Sequence, residues 1–212
     1  MKLFDLSHPI RSGMPVYPGD PQVRFESALT TADNGVEVTE LHLGTHTGTH
    51  LDAPSHAAPG GQTVDQLDFT LLQGPAVILQ LATAATAEQL VRLEDLAHIP
   101  DQLPSIVCLA TGWDQHFHSP LRERHPYIEV DLAELFWQRG ARTLGVDTLS
   151  PDPTVHHDST FEVHQFWLSR GGIIVENLRN LTALPDRVQM SMLPLPLEGL
   201  DGSPVRAVAW TP

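Results

Sequence analysis

Short apolar runs bounded by turn residues recur along this chain, and they predict buried strands. Residues 75–81 (PAVILQL) and 105–110 (SIVCLA) are nearly continuous apolar runs, and runs of this length are typical of strands buried on both faces. Residues 143–147 and 173–176 follow the same pattern. We expect all four segments to be strands, with residues 75–81 in the middle of a sheet.

Two further segments carry the start and stop signals of helices. Residues 131–140 and 162–171 each open with an acidic residue and end with a glycine. Acidic residues favour the first turn of a helix, and glycine favours the position after its last turn. Each predicted helix is followed by a predicted strand. This repeated order predicts the α/β class, with a mixed β-sheet flanked by helices.

Proline and alternating polarity shape the first part of the chain. Residues 1–21 contain four prolines, which remove hydrogen-bond donors and fix the backbone, so a strand followed by an ordered loop is predicted. Residues 36–43 alternate between apolar and polar positions and predict a half-buried strand. His156 and His157 are interpreted as loop histidines because no partner spacing accompanies them.

The carboxyl-terminal part predicts two short strands, residues 188–193 and 205–210, with a turn at residues 199–202. Prolines at positions 194, 196 and 204 keep these strands short or place them at an edge of the sheet. No repeat, low-complexity linker or domain boundary interrupts the sequence. We therefore expect residues 1–212 to form a single domain.

Composition excludes several classes of partner. The chain has 26 acidic and 12 basic residues, a net charge of −14, which repels nucleic acid and anionic membranes. No apolar segment approaches the roughly 20 residues that span a bilayer, and Asp5 and His8 interrupt the place of an export signal. The lone Cys108 cannot form an internal disulfide and is predicted to be inert. A cytoplasmic location is expected.

The candidate chemistry lies in residues 46–56, where His46, His50, Asp52 and His56 all occupy even positions. An extended chain places such residues on one face. At about 3.3 Å per residue, however, His46 and His50 would lie roughly 13 Å apart, whereas a metal–histidine bond measures about 2.0 Å. The chain must therefore bend, and Gly48 is the predicted hinge because glycine tolerates unusual backbone angles.

Imidazole and carboxylate groups without a nearby thiolate suit an ion such as zinc. Three protein ligands would leave one coordination position open for water, as hydrolysis requires. Two other interpretations remain open at this point. The segment could be a closed, purely structural metal site, although such sites usually recruit several cysteines, or it could be a polar loop that binds no metal.

The run from His46 to His56 reads H-x-G-T-H-x-D-x-P-x-H, and in this it resembles the cyclase-like metal-dependent hydrolases, the family of bacterial kynurenine formamidase and isatin hydrolase. The resemblance extends to residues 4–7, 15–20, 145–148 and 203–208. It implies a cyclase-like fold of the swivelling β/β/α type. It also implies a homo-oligomer, either a dimer or a tetramer.

The resemblance implies a role for each matching residue. His46, His50 and Asp52 would bind one metal, and Asp52 could bridge to a second metal held by His164 and Glu176. The family places those two ligands twelve positions apart, as they stand here. Taken alone, His164 would more often be a core or surface histidine and Glu176 a solvated residue. The implied cofactor is one or two divalent ions, Zn²⁺ with Mn²⁺ as the alternative.

The same resemblance implies the reaction and its substrate, a small aromatic amide or lactam. Metal-activated water would open an arylformamide such as N-formylkynurenine, with His56 as the acid/base. An isatin hydrolase-like lactam or ester hydrolase is the alternative, and a non-catalytic metal- or ligand-binding protein is the alternative from another class. Tyr17 stands where kynurenine formamidase carries a substrate-contacting tryptophan, so it is either a substrate-binding residue or a buried packing residue.

Overall fold

The computed structural model describes residues 2–155 and 160–211, so the loop interpretation of His156 and His157 lies outside the described residues. Thirteen strands run in chain order through this part of the chain: β1 (Lys2–Asp5), β2 (Arg24–Leu29), β3 (Val38–His42), β4 (His50–Asp52), β5 (Gln73–Gln80), β6 (Leu90–Val91), β7 (Ile106–Ala110), β8 (Tyr127–Ile128), β9 (Thr143–Val146), β10 (Ile173–Glu176), β11 (Arg187–Ser191), β12 (Gly202–Pro204) and β13 (Val208–Thr211). The α-helices are α1 (Thr31–Asn34), α2 (Val130–Gln138) and α3 (Glu162–Leu168). Short 3-10 helices fill several connections: Pro54–His56, Val64–Gln66, Phe69–Leu71, Leu93–Asp95, Trp113–His116, Pro120–Arg124 and Leu181–Ala183.

A nine-stranded mixed sheet dominates the described residues, in the order β1-β13-β11-β5-β7-β9-β10-β4-β12. The four strands β5, β7, β9 and β10 are parallel, whereas the strands beyond them pair antiparallel. Helix α2 connects β7 to β9 and helix α3 connects β9 to β10, as parallel neighbours require a crossover. The predicted α/β class, the central strands and both helices are confirmed.

The two faces of the sheet are covered differently. Ile78 and Cys108 belong to one buried cluster, while their neighbours Val77 and Val107 belong to another that includes Phe136 of α2 and Trp167 of α3. Because successive side chains of a strand point to opposite faces, both of these helices cover the same face. Loops and 3-10 helices cover the other face.

Strand β4 brings the histidine-rich segment into the sheet, between β10 and the edge strand β12. Its register places His50 opposite Glu176 of β10 and opposite Pro204 of β12. Pro204 ends the short edge strand β12, where a residue that lacks the N–H donor is tolerated. The strand predicted at residues 205–210 begins only at Val208, as β13, and lies inside the sheet. Three parts of the sequence that are far apart thus meet at one margin of the sheet.

The half-buried strand predicted at residues 36–43 is wrong in its burial. Strand β3 forms there, but it pairs with β2 in a separate two-stranded sheet in which every residue is exposed. Leu41, for example, is 59% exposed. Alternation indicates that a strand has two chemically different faces, but it does not indicate what covers the apolar one.

None of the helices in the described ranges has the length and apolar character needed to cross a membrane.

Candidate functional site

The segment of residues 46–56 bends as its spacing requires. Gly48 has a φ of +65°, in the left-handed region that favours glycine, and the chain then enters β4 at His50. Pro54 begins the 3-10 helix that ends at His56, where its fixed φ suits the first position. The three histidines of the segment consequently surround one end of β4.

The centre of the site is a pair of buried carboxylates, Asp52 and Glu176, that two imidazoles face. His50 Nε2 lies 3.4 Å from Asp52 Oδ1 and 3.3 Å from Glu176 Oε2. His164 Nε2 lies 3.5 Å from Asp52 Oδ2 and 3.3 Å from Glu176 Oε1. All four residues are buried. Each imidazole therefore aims one nitrogen between the same two carboxylates.

The other nitrogen of each of these imidazoles is held from outside the centre. His50 Nδ1 lies 2.8 Å from the carbonyl oxygen of Gly48, and His164 Nδ1 lies 2.6 Å from Asp152 Oδ2. Both partners are acceptors, so each Nδ1 carries the proton that it donates. The inner Nε2 of a neutral ring then presents a lone pair to the centre, which is how proteins orient metal-binding histidines.

His46 joins the centre from the preceding turn. Its Nδ1 lies 2.7 Å from Asp52 Oδ1, and its Nε2 lies 3.0 Å from Asp201 Oδ2. A neutral imidazole carries only one N–H group, so it can donate a hydrogen bond in only one of these two contacts, and the other nitrogen faces its carboxylate without a proton. Either the ring is protonated or a cation lies beside the unprotonated nitrogen.

The position of His46 depends on a glycine of the neighbouring strand β12. A Cβ atom at Gly202 would lie 2.6 Å from His46 Cε1 and 2.9 Å from the carbonyl oxygen of Leu51. Real Cβ atoms do not approach so closely. The absence of a side chain at this position therefore lets the imidazole lie against the strand.

His56 stands at the rim of the centre. Its ring centroid is 4.1 Å from that of His46, and its Nδ1 lies 3.0 Å from Asp201 Oδ2. The side chain is 34% exposed, and it lines a cavity. His56 is thus the histidine of the segment that a molecule in the cavity can reach most easily.

The electrostatics of the centre reflect the close packing of imidazoles and carboxylates. Burial opposes the charge of the His50 imidazole, but attraction to the facing carboxylates of Asp52 and Glu176 outweighs it and raises the pKa of His50 to about 10. Burial opposes the charge of His164 as well, but the hydrogen bond to Asp152 and the attraction to Asp52 and Glu176 raise its pKa well above the usual range. Burial also opposes the charge of Asp52, yet the facing imidazoles hold the pKa of this carboxyl well below its ordinary value.

The donor set fits a divalent cation. Within the described residues, His50 Nε2, Asp52 Oδ2 and Glu176 Oε1 are buried and have no hydrogen-bond partner, which is costly unless something else satisfies them. Imidazole nitrogen and carboxylate oxygen are the ligands that zinc and manganese accept. A cation at the centre would satisfy all three atoms at once.

The candidate ligand atoms form two sets that share Asp52. One set contains His46, Asp52 and His56, and the other contains His50, Asp52 and Glu176, with the atoms of each set within 4.8 Å of one another. These sets contain four of the five predicted ligands, together with His56, which was predicted as the acid/base. His164 belongs to neither set, although its Nε2 lies 3.3 Å from Glu176 Oε1 and 3.5 Å from Asp52 Oδ2. The structure groups His50 more closely with Glu176 than with His46, and this division could not be derived from the spacing.

The cavity beside the centre has a volume of about 620 Å³, within the range of small-molecule sites. Tyr17 lies in its wall, half-buried, and burial raises the pKa of its hydroxyl. The aromatic wall also includes Phe117 and Phe161, which sequence reasoning did not single out. The cavity thus offers an apolar, aromatic surface next to a cluster of charged groups.

Sequence reasoning also missed Asp152 and Asp201, both of which hold histidines of the site. Asp152 accepts hydrogen bonds from the backbone N–H groups of Val163 and His164 as well as from His164 Nδ1, so it also caps helix α3. Asp201 lies 145 positions from His56 along the chain. Single acidic residues in turns give no local signal of such contacts.

Comparison with known proteins places these features in a wider context. Residues 4–153 match the Cyclase family model. The chain is 33% identical over 213 residues to the kynurenine formamidase of Geobacillus thermodenitrificans (strain NG80-2), covering 96% of this chain and 95% of that protein.

Solved structures show the same architecture. Isatin hydrolase A from Labrenzia aggregata, bound to benzyl benzoate, superposes with a TM-score of 0.84 at 23% identity and covers 98% of this chain and 93% of its own. A structure described as a potential metal-dependent hydrolase with cyclase activity superposes with a TM-score of 0.80 at 27% identity and covers 100% of this chain and 99% of its own. The predicted resemblance is confirmed.

Proposed function

Because this chain belongs to the cyclase family, we propose that it is a metal-dependent amidohydrolase that opens a small aromatic amide, an arylformamide such as N-formylkynurenine. Curated relatives named kynurenine formamidase share 30–33% identity with it over nearly its whole length. The similarity to these relatives supports an arylformamidase-like hydrolase that acts on C–N bonds other than peptide bonds.

One observation carries the metal dependence. The imidazoles of His50 and His164 are both held by an outer N–H donor, and both aim the inner nitrogen at the carboxylates of Asp52 and Glu176. Buried carboxylates and lone pairs that face one another are stable only if protons or a cation lie between them. His46, His50, Asp52, His164 and Glu176 would hold the ion or ions, with Zn²⁺ preferred and Mn²⁺ as the alternative.

A bound divalent ion would polarise the amide carbonyl and lower the pKa of water from about 15.7 to near 7. The protein supplies the rest of the chemistry. His56, accessible from the cavity and held at Nδ1 by Asp201, would take a proton at Nε2 from the attacking water and return it to the leaving nitrogen. Tyr17, Phe117 and Phe161 would hold the aromatic ring of the substrate.

Turnover by metal-loaded protein tests this proposal. Protein reconstituted with Zn²⁺ or Mn²⁺ is assayed with N-formylkynurenine, isatin and simple aryl esters, beside metal-free protein. We expect the formamide to be hydrolysed and the activity to need metal. Preferred turnover of isatin or the esters would favour the lactam or ester hydrolase, and no turnover with full metal occupancy would favour a non-catalytic binding protein.

The role of His56 is tested by the variant His56→Ala. General acid–base catalysis contributes roughly 10²- to 10⁴-fold to a rate, so turnover should fall by about that factor while bound metal is retained. His98→Ala is the matched control because His98 is exposed and does not line the cavity. Undiminished turnover in His56→Ala would remove His56 from the mechanism. The cytoplasmic location and the homo-oligomeric state remain predictions.

A further inference from the structure

One oxygen atom of Asp201 contacts two histidines of the site. Asp201 Oδ2 lies 3.0 Å from His46 Nε2 and 3.0 Å from His56 Nδ1. The other oxygen, Oδ1, accepts a hydrogen bond from Thr45 Oγ1 at 3.3 Å. The carboxylate therefore lies between the residue expected to bind metal and the residue expected to move protons.

The backbone around Asp201 is fixed independently of these side-chain contacts. Its carbonyl oxygen accepts a hydrogen bond from the N–H of Ala53 at 2.8 Å, and the next residue, Gly202, pairs with Asp52 across β12 and β4. On the other side of the turn, Asp65 accepts a hydrogen bond from the N–H of Gly199. The carboxylate is thus presented to the site by sheet pairing and does not depend on a flexible loop.

A carboxylate only accepts hydrogen bonds, so it determines which imidazole nitrogen carries the proton. In a neutral His56 the proton must reside on Nδ1, and Nε2 is left with the lone pair that a base needs. His46 Nδ1 also faces Asp52 Oδ1 at 2.7 Å, and a neutral His46 that donates from Nε2 to Asp201 presents the lone pair of Nδ1 toward Asp52. The same oxygen atom therefore sets the protonation site of His56 and competes with Asp52 for the proton of His46.

We propose that Asp201 is a positioning residue that holds His56 in the tautomer with the proton on Nδ1 and, through the same oxygen atom, holds His46 with Nδ1 toward Asp52. The catalytic consequence of this inference rests on the proposed function, whereas the effect of Asp201 on the histidine tautomers does not depend on it. The side chain of Asp201 is 42% exposed, and carboxylates this exposed contribute little to folding stability. Its principal contribution is to the site.

The direct test is ¹⁵N NMR of histidine-labelled, metal-free protein at a pH where His56 is neutral, with the His56 signals assigned by their loss in His56→Gln. Wild type should show His56 protonated on Nδ1. Asp201→Ala should populate the other tautomer. Asp65→Asn is the matched control, because it changes a carboxylate that holds the same turn without touching a histidine, and it should leave the His56 signals unchanged. An unchanged His56 tautomer in Asp201→Ala would overturn the proposal.

The kinetic test separates positioning from a general structural effect. At saturating metal, Asp201→Ala should lower kcat by about 10- to 100-fold, the range typical of residues that orient catalytic groups, with little change in KM. Introduced into His56→Ala, the same change should lower kcat by a clearly smaller factor than in wild type, because one of the two imidazoles that it positions is already absent.

An equal loss of kcat in the two backgrounds would also overturn the proposal. If wild type hydrolyses none of the substrates, the proposed function fails, whereas the NMR result still decides the role of Asp201.

Discussion

The outer hydrogen bond of His164 gives the sharpest test of how the site is built. Asp152 is buried, and its carboxylate accepts from the N–H of Val163 at 2.9 Å, from the N–H of His164 at 3.0 Å and from His164 Nδ1 at 2.6 Å. We predict that Asp152→Ala destabilises the protein and weakens metal binding together, because one side chain serves both the helix start and the ligand.

The magnitude follows from the donors that lose their acceptor. Removing a helix cap costs about 0.5–2 kcal/mol, and a buried donor left unsatisfied costs about 1–3 kcal/mol. A combined loss of roughly 2–4 kcal/mol is expected for the metal-free protein. For a chain of this size that corresponds to a fall in Tm of about 4–16 °C. Metal affinity should fall by about 10- to 100-fold, as when other outer partners of ligating histidines are removed.

The assays are thermal unfolding of metal-free protein and competition with a chelator for Zn²⁺. Asp131→Asn is the control, since Asp131 also lies in the first turn of a helix but is exposed, and it should change stability by no more than about 0.5 kcal/mol. Asp152→Asn keeps one acceptor oxygen and should recover part of the stability. Loss of stability with full metal affinity would show that the His164 contact does not orient a ligand.

Three further predictions concern other groups. Metal-free protein should lose stability as the pH rises from about 6.5 toward 10, because the pKa of His50 is about 6.5 in the unfolded chain and about 10 in the folded protein. Protonation of His50 therefore stabilises the fold fully below this pH range and not above it. Equal pH slopes of the unfolding free energy in wild type and His50→Gln, both measured in EDTA, would contradict this. Gly202→Ala should cost about 1–3 kcal/mol and weaken metal binding, because the new Cβ would overlap His46; unchanged Tm and unchanged chelator competition would refute it. Cys108 is fully buried, and burial raises its pKa to about 12, so native protein at pH 8 should resist thiol reagents until it is unfolded; rapid labelling of native protein would disprove this.

Local patterns were enough to predict most of the secondary structure. The strands at residues 75–81 and 105–110 and the helix at residues 131–140 correspond to β5, β7 and α2 within a few residues, because apolar run length and terminal glycines act over short distances. Burial depends instead on distant partners. The alternation at residues 36–43 correctly indicated a strand, yet it could not show that this strand stands apart from the main sheet.

The candidate site likewise contains residues that the sequence predicts and residues that it does not. His46, His50 and Asp52 lie in one short segment, so spacing and residue type were sufficient to single them out, and Gly48 was identifiable as the bend. Asp201 lies 155 positions from His46 in a turn with no distinctive pattern. Its importance arises only from the pairing of β12 with β4, which a single sequence does not reveal.

The pairing of β10 with β4 also links the thermodynamics of the site to that of the chain. His50 and Glu176 face each other only when these strands are paired, so an ion held between them would bind the native state and not the unfolded chain. Free metal at 100 times its dissociation constant would then add about 2.7 kcal/mol to the free energy of unfolding. Removal of the ion would then lower the resistance of the protein to heat and to proteases, whether or not any substrate were present.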